Sequence, residues 1–230
     1  AMCDGDELGY IADYPILGTI AQINAFALGA QMTNPRAKVY LEWSTLKEQD
    51  IEKRIDEIDP NCISGKDIIV PDDNNHFYGV YHRESGGGEQ KNLAMPLCHW
   101  GKFYEELIRT IMAGNWEQDN DVEKAINYWW GMPTGVVDVI CSKKLPAGTV
   151  RLVNVLKHNY KTGQFHTFTD QMYAQGHILK EKKGETLSPE EVIEMDWLAE
   201  NIIGRIPKIE ELQEQAKPVL TQQGIETRKG

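Results

Sequence analysis

The stretch GYIADYPILGTIAQINAFALGAQMTNPRAKVYLEW, residues 9–43, decides the fold class. It begins in a short apolar run that Pro15 ends, and this pattern favours a β-strand over residues 8–14. Apolar residues then recur at helical spacing from Ile16 to Met32. The run AKVYLEW, residues 37–43, predicts a second strand because it is rich in β-forming side chains. Strand, helix and strand in this order indicate a βαβ unit.

The same alternation continues along the chain. Ser44 or Thr45 is the expected N-cap of a charged amphipathic helix that ends near residue 58. The remaining predictions are strands over 62–70, 77–81, 92–97 and 135–141, helices over 100–113 and from Pro146 to about Tyr160, a hairpin over 165–188, a helix that Ser188 caps, and a last helix after Pro207. The pattern predicts an α/β fold with a largely parallel sheet flanked by helices.

Length and charge narrow the classes of function. The chain has 230 residues, which suits one large domain or two lobes of roughly 100–130 residues each. Its formal net charge of −11 would repel a phosphate backbone, so we expect no nucleic-acid partner. No apolar run approaches the roughly 20 residues that cross a bilayer, and the first ten residues do not form a signal peptide.

The cysteines give no sign of a disulfide framework or a zinc site. Cys3, Cys62, Cys98 and Cys141 are far apart, and no two form a CxxC pair. Cys98 and Cys141 lie beside or within apolar runs, which is typical of packed thiols. We therefore expect four unpaired cysteines.

The ends of the predicted strands carry aromatic and polar residues together. Ligands of parallel sheets bind beyond the carboxyl ends of the strands, and aromatic faces with a few polar groups suit a flat, polar small molecule. Each aromatic residue taken alone fits ordinary packing equally well. The residues at these ends are Asp13-Tyr14, Trp43-Ser44, Ser64 to Asp67, Tyr81-His82-Arg83, His99-Trp100 and Tyr128-Trp129-Trp130.

Catalytic signatures are absent from the sequence. It contains no GxSxG elbow, no phosphate-binding GxxxxGK[ST] loop, no GxGxxG and no HExxH. The histidines are scattered without a spaced carboxylate, so they predict no metal site. We assign no catalytic residue and no cofactor, and we expect that the chain is not an enzyme.

Four segments together resemble the basic membrane protein family, the nucleoside-type substrate-binding components of ABC transporters. These segments are residues 9–43, ISGKDIIVP at 63–71, NLAMPLCHWGKFYEELIRTIMAGNW at 92–116 and NYWWGMPTGVVDVICSKKLPAGTVRLV at 127–153. The resemblance extends over roughly residues 8–215. It implies a type I periplasmic-binding-protein fold, in which two α/β lobes close on a ligand, usually a purine nucleoside, without chemistry.

The resemblance also implies how the chain is organised. Residues 1–90 and 125–230 correspond to the second lobe, and residues 91–124 to a crossover segment that packs with the first lobe. A first lobe of roughly a hundred residues, the usual lobe size, is missing before residue 8. The implied partners are a nucleoside-like ligand, an ABC permease, and either the missing lobe or a second copy of the chain.

The ligand-binding residues that we predict on this basis are Trp43, Asp67, Tyr81, Trp100 and Trp130. The sequence departs from the family at residues 81–83, where the expected aspartate is absent, and near His99, where the expected basic residue is absent. The sequence therefore leaves three alternatives to a nucleoside open: a wider ligand, a different ligand, or no ligand at all.

Two localisations and three functions follow as alternatives. A typical family member would be an extracytoplasmic, membrane-associated lipoprotein. Four unpaired cysteines and the absence of a signal peptide favour the cytoplasm instead, where the same fold would serve as a metabolite-sensing or regulatory module. A nucleoside hydrolase is the third and weakest alternative, because no acidic cluster supports it.

Overall fold

A computed structural model describes residue 2 and residues 5–65, 79–84, 90–114 and 131–225. For residues 170 and 181–184 it describes the backbone alone. The chain divides into two compact units: unit 1 comprises Ala1–Leu93 and His166–Gly230, and unit 2 comprises Ala94–Phe165. Most of the predicted crossover segment belongs to unit 2, and its assignment to a lobe stays a prediction.

The described elements follow the predicted alternation. In chain order they are β1 (Glu7–Ala12), α1 (Thr19–Thr33), β2 (Lys38–Trp43), α2 (Ile51–Ile58), β3 (Cys62–Ser64), β4 (Val80–Arg83), β5 (Gln90–Cys98), α3 (Trp100–Met112), β6 (Val137–Cys141), α4 (Ala147–Lys161), β7 (Thr169–Ala174), β8 (Ile178–Thr186), α5 (Pro189–Ile193), β9 (Ile202–Ile203) and α6 (Lys217–Gln223). Two short 3-10 helices, Met132–Thr134 and Ile209–Glu211, complete the set for the described residues.

The sheet of unit 1 has the strand order β4-β3-β1-β2-β9. Strand β1 pairs in parallel with both β2 and β3, and β2 pairs in parallel with β9. Strand β4 is antiparallel to β3. In unit 2, residues 94–98 of β5 pair antiparallel with β6. The predicted α/β class is confirmed, with a mixed sheet that is mostly parallel in unit 1.

Helix α1 forms because its apolar residues lie on one face. Ile20, Ile23 and Ala27, spaced three and four residues apart, are fully buried against the sheet. The helix begins at Thr19, later than predicted, because Gly18 has a φ of +82°, a left-handed conformation outside the helix. At the other end the predicted stop is confirmed, since Asn34 has extended dihedral angles.

Both faces of the unit 1 sheet are covered. Leu8, Tyr10 and Ala12 alternate along β1 and join the main core under α1, together with alternate residues of β2. The opposite face carries a smaller cluster in which Ile63 and Tyr81 pack against Ile55 of α2. Helices α1 and α2 therefore lie on opposite faces, as in a doubly wound sheet.

The predicted N-cap of α2 is wrong. Helix α2 begins at Ile51, and the side chain of Asp50 caps it by accepting a hydrogen bond from the backbone N–H of Lys53 at 3.1 Å. Ser44 and Thr45 do not cap the helix because both hydroxyls donate to Asp13.

Both long helices of unit 2 lack a buried residue. Helix α3 carries an apolar stripe at helical spacing, with Trp100 61% exposed and Ile108 55% exposed. Helix α4 likewise exposes Leu152 and Val155. Strand β6 also exposes an apolar side chain, since Ile140 is 47% exposed.

No helix in the described ranges is both long enough and apolar enough to cross a bilayer.

Candidate functional site

The carboxyl edge of the unit 1 sheet has the topology of a binding edge. Strands β1, β2 and β3 are parallel, so their last residues, Ala12, Trp43 and Ser64, lie at one edge. The chain passes from β1 to β2 on one side and then crosses back over β1 to β3 on the other. Sheets of this order bind ligands at the crevice between the first and third strands, where the direction of winding reverses.

Asp13 is the polar centre of this edge. It directly follows β1, and its side-chain Oδ1 accepts a hydrogen bond from the Ser44 hydroxyl. The Thr45 hydroxyl donates to the backbone carbonyl of Asp13, and the Ser44 N–H donates to the Ala12 carbonyl at 2.8 Å. Within the described part of the chain, no group donates to Asp13 Oδ2. The described residues therefore leave one carboxylate oxygen without a donor.

Strand β3 adds a second polar position. Ser64 is 5% exposed and ends the strand, where it pairs with Val80 of β4. The next residue, Gly65, donates its N–H to the carbonyl of Gly79 at 2.8 Å. Residues 66–78, including the predicted site residue Asp67, lie outside the described residues.

The loop after β2 is held from its other side by the C-terminal part of unit 1. The Gln213 N–H donates to the Thr45 carbonyl at 2.8 Å, and the Lys47 N–H donates to the Glu211 carbonyl at 3.0 Å. Glu211 itself is fixed by the Arg205 guanidinium, at 2.5 and 2.6 Å. These hydrogen bonds, with that from the Lys208 N–H, lower the pKa of Glu211 to about 2. Hydrogen bonds thus hold the loop that carries Ser44 from both sides, to Asp13 on one side and to Glu211 and Gln213 on the other.

Trp43 and Tyr81, two of the predicted ligand-binding residues, are core residues. Trp43 is 2% exposed and its indole Nε1–H donates to the Arg205 carbonyl at 2.8 Å. Tyr81 is 4% exposed, and burial raises the pKa of its phenol to about 12. The two belong to clusters on opposite faces of the sheet, so the structure does not bring them together.

The other predicted ligand-binding residues lie elsewhere. Trp100 opens α3 in unit 2, where its ring meets that of Phe103 edge-to-face at a centroid distance of 5.8 Å. Trp130, like Asp67, lies outside the described residues. The five residues therefore remain a prediction, with two placed in the core, one exposed in unit 2 and two undescribed.

The placement of residues 81–83 at the binding edge is wrong. Because β4 is antiparallel to β3, its first residue, Val80, lies at the carboxyl edge of β3, and its last lies at the amino edge. There the Arg83 N–H donates to the Asn61 carbonyl at 2.8 Å, and the Arg83 guanidinium pairs with Asp56.

The expectation of four unpaired cysteines is also wrong. Cys62, which is 2% exposed in β3, is bonded in a disulfide. Cys98 and Cys141 carry free thiols. Disulfides persist mainly in extracytoplasmic compartments, so this bond weakens the argument for the cytoplasm.

Metal chemistry gains no support from the described residues. In the described ranges no group of three or more His, Cys, Asp or Glu side chains is placed to hold a metal ion.

The sequence of this chain is similar to those of known binding proteins. No family model matches it. A purine-binding protein of Brucella abortus is 25% identical over 211 residues, which cover 87% of this chain and 58% of the relative. A putative ABC transporter glucose-binding protein of Haloferax volcanii is 30% identical over 145 residues, which cover 58% of this chain and 35% of the relative.

These two relatives support a solute-binding role. Both are named as binding proteins and neither as an enzyme, in agreement with the prediction of no catalytic activity. The chain spans about three fifths of the first relative and about a third of the second. The similarity supports a substrate-binding protein in general and does not single out the basic membrane protein family.

The predicted ligand contacts omit Asp13 and Ser44. Both residues lie at predicted strand ends, but the residues selected as ligand contacts are aromatic residues and Asp67. The usable signal was a carboxylate directly after a first strand and a hydroxyl directly after the second, because parallel neighbours place such residues side by side.

Proposed function

We propose that this chain is the second lobe of a substrate-binding protein for ABC-type uptake, and that Asp13 and Ser44 form part of its ligand site. The observation that carries the proposal is the Asp13 carboxylate at the carboxyl edge of the parallel strands, where Ser44 holds Oδ1 and no described residue donates to Oδ2. Similarity to two binding proteins supports it. The protein would capture a solute without chemical change.

The geometry favours a ligand that carries hydroxyl groups. A carboxylate oxygen accepts hydrogen bonds, and the hydroxyls of a sugar supply donors. A purine nucleoside satisfies this requirement through its ribose, and it also suits the purine specificity named for one relative. A free hexose is the competing ligand, because the other relative is named as a glucose-binding protein.

A first lobe would supply the opposite wall of the cleft. Similarity covers only 58% of the purine-binding relative, so that protein contains a large segment with no counterpart in this match. The apolar stripe of α3 would pack against this lobe, since Trp100, Tyr104 and Ile108 are each more than half exposed. Asp67, Trp100 and Trp130 remain candidates for ligand contacts in the completed cleft.

The proposed protein would act outside the cytoplasm with a membrane permease as its partner. The disulfide at Cys62 supports an oxidising compartment over an intracellular metabolite sensor.

Isothermal titration calorimetry with adenosine, adenine and glucose tests the proposal. We expect adenosine to bind, and Asp13→Asn to weaken it by about 1.5–3 kcal/mol, the usual value of a hydrogen bond to a charged group. That loss corresponds to at least about a tenfold rise in Kd. The matched control is Asp59→Asn, because Asp59 is exposed at the C-terminus of α2. Equal adenosine binding by Asp13→Asn and the unaltered chain would exclude this site. Tighter binding of glucose than of adenosine would identify a sugar, and not a nucleoside, as the ligand.

A further inference from the structure

A concave site lies in unit 1, where β9 ends beside β2. A pocket of about 370 Å³ is bounded by residues 40–43, Leu46, Gln49, Arg54, residues 203–205 and Pro207. This volume lies within the range of about 300–1,000 Å³ found for small-molecule sites. Asp13, Ser44 and Ser64 do not line the pocket, so it is separate from the proposed solute site.

The pocket exists because β9 is only two residues long. Ile203 is the last residue of β9 paired with β2, opposite Tyr40. Gly204 follows with a φ of +149°, and a Cβ there would lie 2.9 Å from the carbonyl oxygen and Cβ of Leu41. The glycine lets the chain turn away from β2. On this side, no strand of the described residues therefore lies beside residues 41–43.

The side chain of Glu42 is the chemically distinctive group of this pocket. It is 7% exposed, and its Oε1 accepts hydrogen bonds from Arg54 Nε at 3.3 Å and Nη2 at 3.1 Å. Its Oε2 accepts one from the Gln49 amide. A carboxylate oxygen can accept two hydrogen bonds, and among the described residues no second donor reaches Oε2. A buried acceptor with unused capacity faces a space that a small molecule can fill.

The charges around the pocket cancel. Glu42 is paired with Arg54, and Arg205 is paired with Glu211 at 2.5 Å. A ligand with a net charge would lose its hydration without gaining an unpaired counter-ion. The remaining lining is largely apolar, with Leu41, Leu46, Ile203 and Pro207.

We propose that this pocket binds a small uncharged molecule that has an apolar body and an N–H donor, such as a primary amide. The N–H donor would complete the acceptor capacity of Glu42 Oε2, and the apolar body would cover the aliphatic lining. This site would work independently of solute capture at Asp13.

Saturation-transfer NMR on the whole chain tests this proposal with three probes of nearly equal shape. Benzamide is uncharged and has an N–H donor, benzamidine is a cation, and benzoate is an anion. We expect benzamide to bind, with both charged probes at least about tenfold weaker, or about 1.4 kcal/mol. The blocking variant is Ile203→Arg, which places a long side chain at a 43% exposed lining position. Its matched control is Ile178→Arg in the hairpin, at a 57% exposed position that does not line the pocket.

The variants separate this proposal from the proposed function. Benzamide saturation should disappear in Ile203→Arg and persist in both Ile178→Arg and Asp13→Asn. Three results would overturn the proposal: no benzamide signal, an unchanged signal in Ile203→Arg, or stronger binding of either charged probe. Loss of the signal in Asp13→Asn would also overturn it, because the probe would then occupy the solute site.

Discussion

Replacing Asn24 with alanine should destabilise unit 1 strongly, although the residue touches no proposed ligand. Asn24 lies in the middle of α1 and is fully buried. Its amide nitrogen donates to the Trp197 carbonyl at 2.7 Å, and its Oδ1 accepts the Ala199 N–H at 2.8 Å. The same nitrogen lies 2.9 Å from the Met195 sulfur. Asn24 thereby joins α1 to the segment that leads into β9.

The size of the effect follows from the groups that lose their partners. In Asn24→Ala the Ala199 N–H, on a residue that is 1% exposed, has no replacement partner. An unsatisfied buried group costs about 1–3 kcal/mol, and the lost bond to Trp197 adds about 1 kcal/mol. Alanine recovers up to about 0.7 kcal/mol through its higher helix propensity. The expected net loss in the free energy of unfolding is therefore about 1.3–3.3 kcal/mol.

Urea unfolding monitored by circular dichroism measures this loss. Gln22→Ala is the matched control, because Gln22 is exposed on the same helix and should change stability by about 0.5 kcal/mol or less. The m-value should stay constant, so that the shift in midpoint reports stability alone. If the loss in Asn24→Ala exceeds that in Gln22→Ala by less than about 0.5 kcal/mol, water or a local shift satisfies these groups and the reasoning is refuted.

Two further predictions concern the disulfide and acid stability. The denatured chain should show two reactive thiols before reduction and four after it, since one disulfide consumes two of the four cysteines; four thiols in oxidised protein would exclude the disulfide. The pKa of Glu211 is about 2 in the folded chain against an ordinary value of 4.5, so its stabilisation is complete above pH 4.5 and is lost as the pH falls towards 2. As the pH falls from 4.5 towards 2, the urea midpoint should fall less in Glu211→Gln than in the unaltered chain. An equal fall of the midpoint in both proteins would contradict the lowered pKa of Glu211.

Local sequence patterns predicted the elements well and their long-range partners poorly. Helix α1 and strand β2 follow from periodicity, because one buried face is enough to specify each. The N-cap of α2 was misplaced because the hydroxyls of Ser44 and Thr45 bond to Asp13, more than 30 residues away in sequence. No local pattern contains that contact.

The direction of a strand and the burial of an aromatic side chain also could not be predicted from the local sequence. The sequence of β4 is compatible with either parallel or antiparallel pairing. Only its antiparallel pairing with β3 shows that Arg83 lies at the amino edge of β3. Trp43 follows the pattern of a ligand contact, because a strand ends there. Its indole N–H is instead satisfied by the Arg205 carbonyl, so the ring can be buried completely.

The same long-range contacts bear on the proposed capture of a ligand by Asp13 and Ser44. Ser44 is held on one flank by Asp13 and on the other by the backbone pairing of Thr45 with Gln213. A polar group already fixed before binding loses little conformational entropy when a ligand arrives. This part of the wall would therefore contribute orientation without rearrangement, and any closure around the solute must arise from other segments of the protein.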